Sequence, residues 1–231
     1  MLTLFELSGN KARPDVGFSP FVWRIKLMLA HKGLDYEREF VSFADKSALA
    51  GAGVQTVPVL KNGDTWVAES LRIARYLEET FPDKPLFETP LAARQSVILN
   101  NWFDQTIVMP IFPMIVSDIY DVLDDENRAA FKATREPRLG GRRLEDMREG
   151  RSELREAFKA NLGPLEAILS EQNYLSGDAP AFADYCLMGS LMWPHIVTDF
   201  DPVADSDLVK AWRARMFDQF DGLARSAPRA A

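Results

Sequence analysis

Apolar and polar residues alternate differently in the first third of the chain and in the rest. The first third carries four short stretches typical of strands, separated by stretches of helical period. The strand-like stretches are LTLFELS (2–8), YEREFVS (36–42), VPVL (57–60) and TWVAE (65–69). Asn62-Gly63 separates the last two, which is a strong signal for a β-hairpin. The order predicts a compact α/β unit, β-α-β-(α)-β-β-α, with both parallel and antiparallel strand pairs.

The helices of this unit are marked by their end signals and by their apolar faces. The first spans residues 19–32, with Ser19-Pro20 at its start and Gly33 at its end. Serine is a preferred N-cap, proline is favoured in the first turn, and glycine is favoured just past the last turn. The second helix is predicted at 70–80, and a short helix is expected at 45–49.

Beyond residue 80 the pattern becomes helical throughout. The segment FPDKPLFETP (81–90) holds three prolines and is interpreted as a linker. Helical stretches follow at 91–122, 140–172, 181–195 and 207–220. We expect Pro110 and Pro113 to kink or break the first stretch, Pro164 to bend the second, and the ARSAPRAA tail to be loose. The predicted domains are 1–80, an α/β domain, and 91–231, an all-helical domain.

Composition narrows the class of protein. With 231 residues and 47% hydrophobic residues, the chain can bury a sizeable core. A net charge of −7 disfavours nucleic acids and anionic membranes as partners, and no apolar run approaches the length of a bilayer span. Cys186 is the only cysteine and no signal peptide is visible, which favours a reducing cytoplasm. One cysteine and two histidines at their spacings give no zinc ligand set, so no metal is expected.

Three dipeptides in the first domain are candidates for chemistry: Ser19-Pro20, Val57-Pro58 and Glu69-Ser70. Each also has an ordinary structural explanation. The two serines could simply cap helices, and the second proline could be a trans residue at a strand edge, because only about 5% of such bonds are cis. Their order and spacing within one α/β unit are much more specific than any one of them alone.

The three dipeptides carry a resemblance to a known family. Residues 1–80 resemble the thioredoxin-like domain of cytosolic glutathione transferases, with a mixed four-stranded sheet, and the rest resembles the all-helical second domain. SPFVWR (19–24) resembles the start of the family's active site, and GDAPAFAD (177–184) the family signature of the second domain. SPFVWR together with LGGRRLEDMREGR (139–151) is most similar to the bacterial lignin β-etherase branch and to related fungal enzymes.

The resemblance implies a role for each dipeptide toward glutathione, γ-Glu-Cys-Gly. Ser19 would donate a hydrogen bond to the thiolate at a helix N-terminus, lowering a thiol pKa that is about 8.5 in free cysteine. Val57, held by a cis bond to Pro58, would pair its backbone with the cysteinyl unit. Ser70 and its helix would bind the γ-glutamyl carboxylate, and Glu69 would face the α-ammonium group.

The remaining site residues are less specific. Lys46 and Gln55 are candidates for the glycyl carboxylate, although solvent-exposed polar residues explain them equally well. A hydrophobic second substrate is expected in a cleft between the domains. The candidates for lining it are Phe18, Phe21, Trp102, Phe112 and Ile115. Arg24 is expected to form an ion pair at the domain interface rather than to act as a catalyst.

Three functions remain open from the sequence. The first is a glutathione transferase that adds the thiolate to a hydrophobic electrophile. The second is a glutathione-dependent β-etherase that cleaves an aryl ether, and the third is a non-catalytic carrier of hydrophobic ligands. Because serine stands at position 19 and Cys186 lies in an apolar run, disulfide chemistry through a thiol of the protein is not expected. A homodimer is expected from the resemblance.

Overall fold

The computed structural model describes residues 1–230. The first third of the chain is built on a four-stranded mixed sheet. Its strands are β1 (Leu2–Leu7), β2 (Tyr36–Val41), β3 (Val59–Asn62) and β4 (Thr65–Ala68), in the spatial order β2-β1-β3-β4. β1 and β2 are parallel, and the pairs β1–β3 and β3–β4 are antiparallel. The predicted mixed sheet and its hairpin at Gly63 are confirmed, and Gly63 has the positive φ of 58° that such a turn requires.

Two helices and one short 3₁₀ segment pack on this sheet. They are α1 (Pro20–Lys32), the 3₁₀ segment Ser47–Ala52, and α2 (Ser70–Thr80). Ser19 is the N-cap of α1, and Gly33 ends the helix at φ 66°, in the left-handed region that favours glycine. The short helix expected at 45–49 is therefore a 3₁₀ segment displaced by a few residues.

The rest of the chain is helical, as predicted. Its α-helices are α3 (Pro90–Phe103), α4 (Met109–Val122), α5 (Asp125–Arg135), α6 (Arg151–Leu169), α7 (Phe182–Val197) and α8 (Asp207–Phe217). The division into domains 1–80 and 91–231 stays a prediction, and residue 231 lies outside the described residues.

Two details of the helical prediction are wrong. α5 was not expected, and the stretch predicted at 140–172 becomes a helix only at Arg151, after two 3₁₀ segments, 136–139 and 144–148. The break expected near Pro110 is a π-helical segment, Asp104–Val108, that precedes this proline, while Pro113 lies within α4. Phe103 and Met109, which flank the π segment, both keep helical backbone angles.

The N-terminus of α7 depends on a buried carboxylate. Ala181, at the N-cap position, has no side chain that could accept a hydrogen bond. Asp184, fully buried, instead accepts from the backbone N–H groups of Leu175, Ser176 and Ala181 at 2.8–3.2 Å, and from the indole of Trp212 at 2.8 Å. This residue therefore holds the α7 N-terminus to the preceding loop and to α8.

The two parts of the chain share one core, whose centre is the contact between α1 and α7. A Cβ atom added to Gly189 of α7 would lie 2.6 Å from the carbonyl oxygen of Pro20 and 2.8 Å from the backbone nitrogen of Arg24. Only glycine allows this close approach of the two backbones. At the other end of the contact, the Tyr185 hydroxyl lies 2.6 Å from His31 Nδ1.

The tail is ordered against the helical region, contrary to the expectation that it is loose. Ala224 is fully buried, and the N–H group of Ala230 donates to Ile196 O at 2.8 Å. Arg229 donates to His195 O at 2.7 Å and pairs with Asp199. These contacts attach residues 224–230 to the end of α7.

Candidate active site

Four segments meet at one edge of the sheet. β1 and β2 are parallel and end there, β3 begins there, and β4 ends there, because β3 is antiparallel to both of its neighbours. In the order of the strands, this edge carries Lys46 after β2, Ser19 after β1, Val57 before β3 and Ser70 after β4. Since neighbouring strands lie about 4.8 Å apart, the series spans about 14 Å, so an extended tripeptide of about 10–11 Å fits along it with side chains of the protein at both ends.

Ser19 caps α1 and keeps a proton available. It is 7% exposed, and its Oγ accepts from the N–H group of Val22 at 3.4 Å. A hydroxyl that accepts this bond still has its own O–H to donate. Pro20 has no N–H group and the first turn contains no acidic residue, so the hydroxyl adds a donor where the helix N-terminus already favours an anion. The predicted cap is confirmed, and the role toward a thiolate stays a prediction.

The segment before Ser19 is held by residues that the sequence analysis did not identify. The Trp23 indole donates to Gly17 O at 2.7 Å, and Lys26 Nζ lies 4.8 Å from the centre of the Trp23 ring. Lys26 also pairs with the fully buried Glu6 at 2.5 Å, and its burial lowers the pKa of the lysine. No spacing in the sequence marks this network, because Glu6 lies on a strand and its partner lies two turns into α1.

The Val57–Pro58 peptide bond is cis, as predicted. Within residues 1–230, neither the N–H nor the C=O group of Val57 forms a hydrogen bond, so both are free to pair with a ligand. Pro58 O accepts from the N–H group of Glu69 at 3.3 Å, which ties the second dipeptide to the third.

Glu69 and Ser70 form the start of α2. Ser70 is the first residue of the helix rather than its cap, so the ordinary explanation as a serine N-cap is wrong for this position. Glu69 occupies the cap position at φ 73° and ψ 132°, and no side chain caps the helix. The first N–H groups of α2 are thus left to an external acceptor, and the dipole of the helix favours an anion there.

The two candidates for the glycyl carboxylate differ in their surroundings. Gln55 is exposed, whereas Lys46 is half-buried, donates to Ser42 O and stacks on Phe43 at 5.4 Å. Burial, and then the charge of Arg135, lower the pKa of Lys46 to about 8. Lys46 forms no ion pair within residues 1–230, so it is the stronger candidate for an anion ligand, and a bound anion would raise its pKa again.

A cavity of about 220 Å³ lies beside Phe18, the residue before Ser19. Its lining residues are Gly9, Asn10, Arg13, Val16, Phe18, Asp121, Val122 and Ala230. Of the five residues predicted for the hydrophobic substrate, only Phe18 borders this cavity. Three of its lining residues are polar or charged, whereas the residues predicted from the sequence to line the substrate cleft are all apolar or aromatic.

The other four candidates lie elsewhere in the fold. Phe21 lies beneath the guanidinium of Arg24 at 4.9 Å. Trp102 packs edge-on against Phe103, and Phe112 stacks on Trp193 at 5.7 Å between ring centroids. Ile115 is fully buried, so it supports the core and offers no surface to an open cleft.

Arg24 and Cys186 take the structural roles expected of them. Arg24, fully buried in α1, pairs with Asp104 at 2.7 Å and donates to Asn100 at 3.2 Å, both in the helical region. This confirms the predicted ion pair. Cys186 is fully buried, and burial raises the pKa of its thiol to about 12, which leaves no reactive thiolate at neutral pH.

Residues 1–230 contain no group of three or more His, Cys, Asp or Glu side chains placed to hold a metal ion. No helix among them combines the length and the apolar character needed to cross a membrane.

The fold and the site together describe a thioredoxin-like protein with a helical second part and a peptide-sized binding edge. Comparison with known families agrees: residues 18–80 match the glutathione S-transferase N-terminal domain, and residues 95–221 match the glutathione S-transferase C-terminal domain. The chain belongs to the glutathione S-transferase family. Family membership supports glutathione S-transferase activity with glutathione as the co-substrate, so the resemblance stated from the sequence is confirmed at this level.

Individual relatives have low sequence identity to this chain, but the similarity extends over most of the length of both chains. The glutathione S-transferase-like protein ustS of Aspergillus flavus is 24% identical over 222 residues, covering 84% of this chain and 80% of its own. A solved glutathione S-transferase of Ceriporiopsis subvermispora in complex with glutathione is 26% identical, with a TM-score of 0.81 and coverage of 95% and 96%. Glutathione transferase GSTFuA3 of Phanerochaete chrysosporium is 25% identical, with a TM-score of 0.81 and coverage of 96% of both chains.

Proposed function

We propose that this chain binds glutathione along the described edge of the sheet and uses Ser19 to stabilise its thiolate for attack on a hydrophobic electrophile. The observation that carries the proposal is the geometry of Ser19. Its hydroxyl oxygen accepts from Val22, and its proton is left to donate at the start of α1. The thiolate of a cysteine is the nucleophile, so a donor and a helix dipole aimed at the sulfur increase its reactivity at neutral pH.

The rest of the peptide would be held by backbone and side-chain groups that form no hydrogen bond within residues 1–230. The free backbone groups of Val57 would pair with the cysteinyl unit as one more strand does. The uncapped start of α2, with Ser70, would receive the γ-glutamyl carboxylate, and the exposed carboxylate of Glu69 would face the α-ammonium group. A relative of the same fold was solved with glutathione, which supports this assignment.

The test is a titration of bound glutathione by the ultraviolet absorbance of its thiolate, followed by a screen of electrophiles. We expect a bound thiol pKa at least one unit below that of free glutathione, and turnover of an aryl halide or an activated alkene. A protein that binds glutathione without lowering its thiol pKa, and turns over no electrophile, would be a carrier. That outcome would overturn the proposal in favour of the third function.

A β-etherase is the second candidate, and one observation favours it. The cavity beside Phe18 is lined by Asn10, Arg13 and Asp121 as well as by apolar residues. Such a lining suits a phenolic or hydroxylated aromatic substrate better than a purely apolar one. Attack of the thiolate at the ether carbon forms a carbon–sulfur bond, and the carbon–oxygen bond breaks to release a phenol. Incubation with a β-aryl ether and glutathione, with quantification of the phenol, separates this candidate from simple transfer.

We also propose that the protein is a homodimer. α3 and the start of α4 expose large apolar side chains, with Leu91 at 61%, Ile98 at 71% and Met109 at 56%. Sedimentation at micromolar concentration should give a dimer, and Ile98→Lys should give a 26.1 kDa monomer. Leu208→Lys, on the exposed surface of α8, is the matched control and should stay dimeric. A wild-type protein that sediments as a monomer would contradict the proposal.

The cytoplasmic location stays a prediction.

A further inference from the structure

Two cations lie beside the same aromatic ring near the proposed glutathione site. Lys46 Nζ is 5.4 Å from the centre of the Phe43 ring, and Arg135 Cζ is 5.9 Å from it. Lys46 follows β2, whereas Arg135 is the last residue of α5, in the helical region. The two parts of the chain therefore each contribute one cation to this place, which we call the cation pair.

α5 is docked here by one face. Asn127 Oδ1 accepts from the N–H group of Phe43 at 2.6 Å, and Phe131 packs edge-on against the Phe43 ring at 5.0 Å. Asn127, Phe131 and Arg135 are four residues apart, so they share this face of the helix. The position of Arg135 is thus fixed by two contacts that precede it on α5.

Neither cation has a carboxylate partner among residues 1–230. Lys46 donates to Ser42 O, and Arg135 donates to Thr134 Oγ1 at 3.0 Å. The carboxylates next to the two cations in sequence are engaged elsewhere: Asp45 accepts from the N–H group of Ser47 at 2.8 Å, and Glu136 pairs with Lys132 at 3.6 Å. Burial, and then the charge of Arg135, lower the pKa of Lys46, while burial, and then the charge of Arg138, lower the pKa of Arg135. In a chain of net charge −7, two cations beside one aromatic ring, neither in an ion pair, mark a place for an external anion.

The place of the cation pair identifies that anion. Phe43 stacks on Phe18 at 6.3 Å between ring centroids, and Phe18 precedes Ser19, so the pair lies one ring beyond the proposed thiolate site. Along the sheet edge, the order Ser70, Val57, Ser19, Lys46 follows the γ-glutamyl, cysteinyl and glycyl units of the tripeptide.

We propose that Arg135 binds the glycyl carboxylate of glutathione together with Lys46, so that a residue of the helical region determines specificity at the glycyl end of the peptide. The inference rests on the proposed function, because it uses the predicted direction of glutathione along the sheet edge. The planar guanidinium can hold the carboxylate through two parallel hydrogen bonds, which Lys46 alone cannot provide. If Arg135 only stabilised the C-terminus of α5, its replacement would affect the binding of charged and uncharged ligands equally.

The experiment compares glutathione with its glycyl ethyl ester, which lacks the carboxylate charge. Binding of both is measured by calorimetry for wild type, Arg135→Ala, Arg135→Lys and Arg225→Ala. Arg225 pairs with Asp218 on the surface and is the matched control for the loss of one arginine. We expect Arg135→Ala to weaken glutathione binding about tenfold, with a smaller loss for Arg135→Lys, and to leave ester binding unchanged. The KM for glutathione should rise while kcat stays near the wild-type value.

Each other outcome has a distinct meaning. If Arg135→Ala weakens glutathione and the ester equally, the arginine acts through the structure and the inference is wrong. If it weakens neither, while the wild type discriminates between the two ligands, the inference fails and the proposed function stands. If the wild type binds neither ligand, the proposed function fails and this inference fails with it. Thermal unfolding of each variant shows whether α5 remains folded.

Discussion

Replacement of Ser19 by alanine tests the proposed chemistry most directly. The change removes one hydroxyl from the start of α1 and leaves the backbone, Pro20 and the N–H group of Val22 in place. Two quantities should respond: the stability of the helix end and the pKa of bound glutathione. The structure predicts a small effect on the first and a large effect on the second.

The magnitudes follow from the geometry. The cap bond from Val22 to Ser19 is long at 3.4 Å, so its loss should cost at most the typical ~1 kcal/mol of an N-cap. A hydrogen bond to a charged partner contributes roughly 1.5–3 kcal/mol, and one pKa unit corresponds to about 1.36 kcal/mol. The pKa of the bound thiol should therefore rise by about one to two units, and the rate at neutral pH should fall by about ten- to a hundredfold. Glutathione affinity should change less, because the rest of the peptide is held elsewhere.

The assay is the pH dependence of the transferase rate at saturating glutathione for wild type and Ser19→Ala. Ser206→Ala is the matched control, because Ser206 caps α8 by accepting from Val209 at 3.3 Å, away from the sheet edge. The control should lose stability and keep the wild-type pH profile. If the profiles of wild type and Ser19→Ala coincide in midpoint and plateau, Ser19 is only a helix cap. The thiolate would then be held by a backbone N–H group of α1.

Three further predictions concern other parts of the molecule. Glu69→Gly should raise the free energy of unfolding by about 1 kcal/mol, because glycine accepts the φ of 73° without strain, and should weaken glutathione binding. A lower free energy of unfolding for Glu69→Gly would contradict the predicted relief of backbone strain. Gly189→Ala should cost about 1–3 kcal/mol by urea denaturation, since its Cβ would meet the Pro20 carbonyl, and a neutral change would contradict that contact. Burial, then Arg229, lower the pKa of His195 to about 4, so the folded state resists protonation and loses stability as pH falls from about 6.5 to 4. The free energy of unfolding of His195→Gln should fall less steeply with pH over that range than that of the wild type. Identical dependence on pH in the two proteins would exclude this effect.

Some elements could be predicted because their signals are local. α2 has the predicted ends, since Leu71, Ala74 and Leu77 mark an apolar face in the sequence; in the structure Ile73, Ala74 and Leu77 are the buried apolar residues. The hairpin at Gly63 follows from two residues. The three dipeptides, together with SPFVWR and GDAPAFAD, carried the resemblance to the family, because each dipeptide stands at the start of a helix or of a strand, where the fold exposes backbone groups.

Other features depend on contacts between residues that are distant in sequence. α5 has one large apolar residue on its buried face, Phe131, and is otherwise held by Asn127 and Arg135, so its hydrophobic pattern is too weak to predict a helix. The start of α6 was misplaced because Leu144 and Met147, in a 3₁₀ segment, are buried like the helix residues that follow. The burial of Arg24 depends on Asp104, eighty positions later. The polar lining of the cavity beside Phe18 likewise combines the loop after β1 with the end of α4.

The close approach at Gly189 restricts how this chain could exchange parts with its relatives. α1 carries Ser19 at its start and is buried against α7 by the contacts at Gly189, Arg24 and His31. A chimaera that joins the first eighty residues of this chain to the helical part of a relative must therefore inherit a compatible α7, with a glycine opposite Pro20. Recombination at the linker alone would place a foreign side chain against the backbone at the start of α1, which carries Ser19. The start of α1 and the middle of α7 are encoded far apart in the gene, yet they must be inherited as one unit.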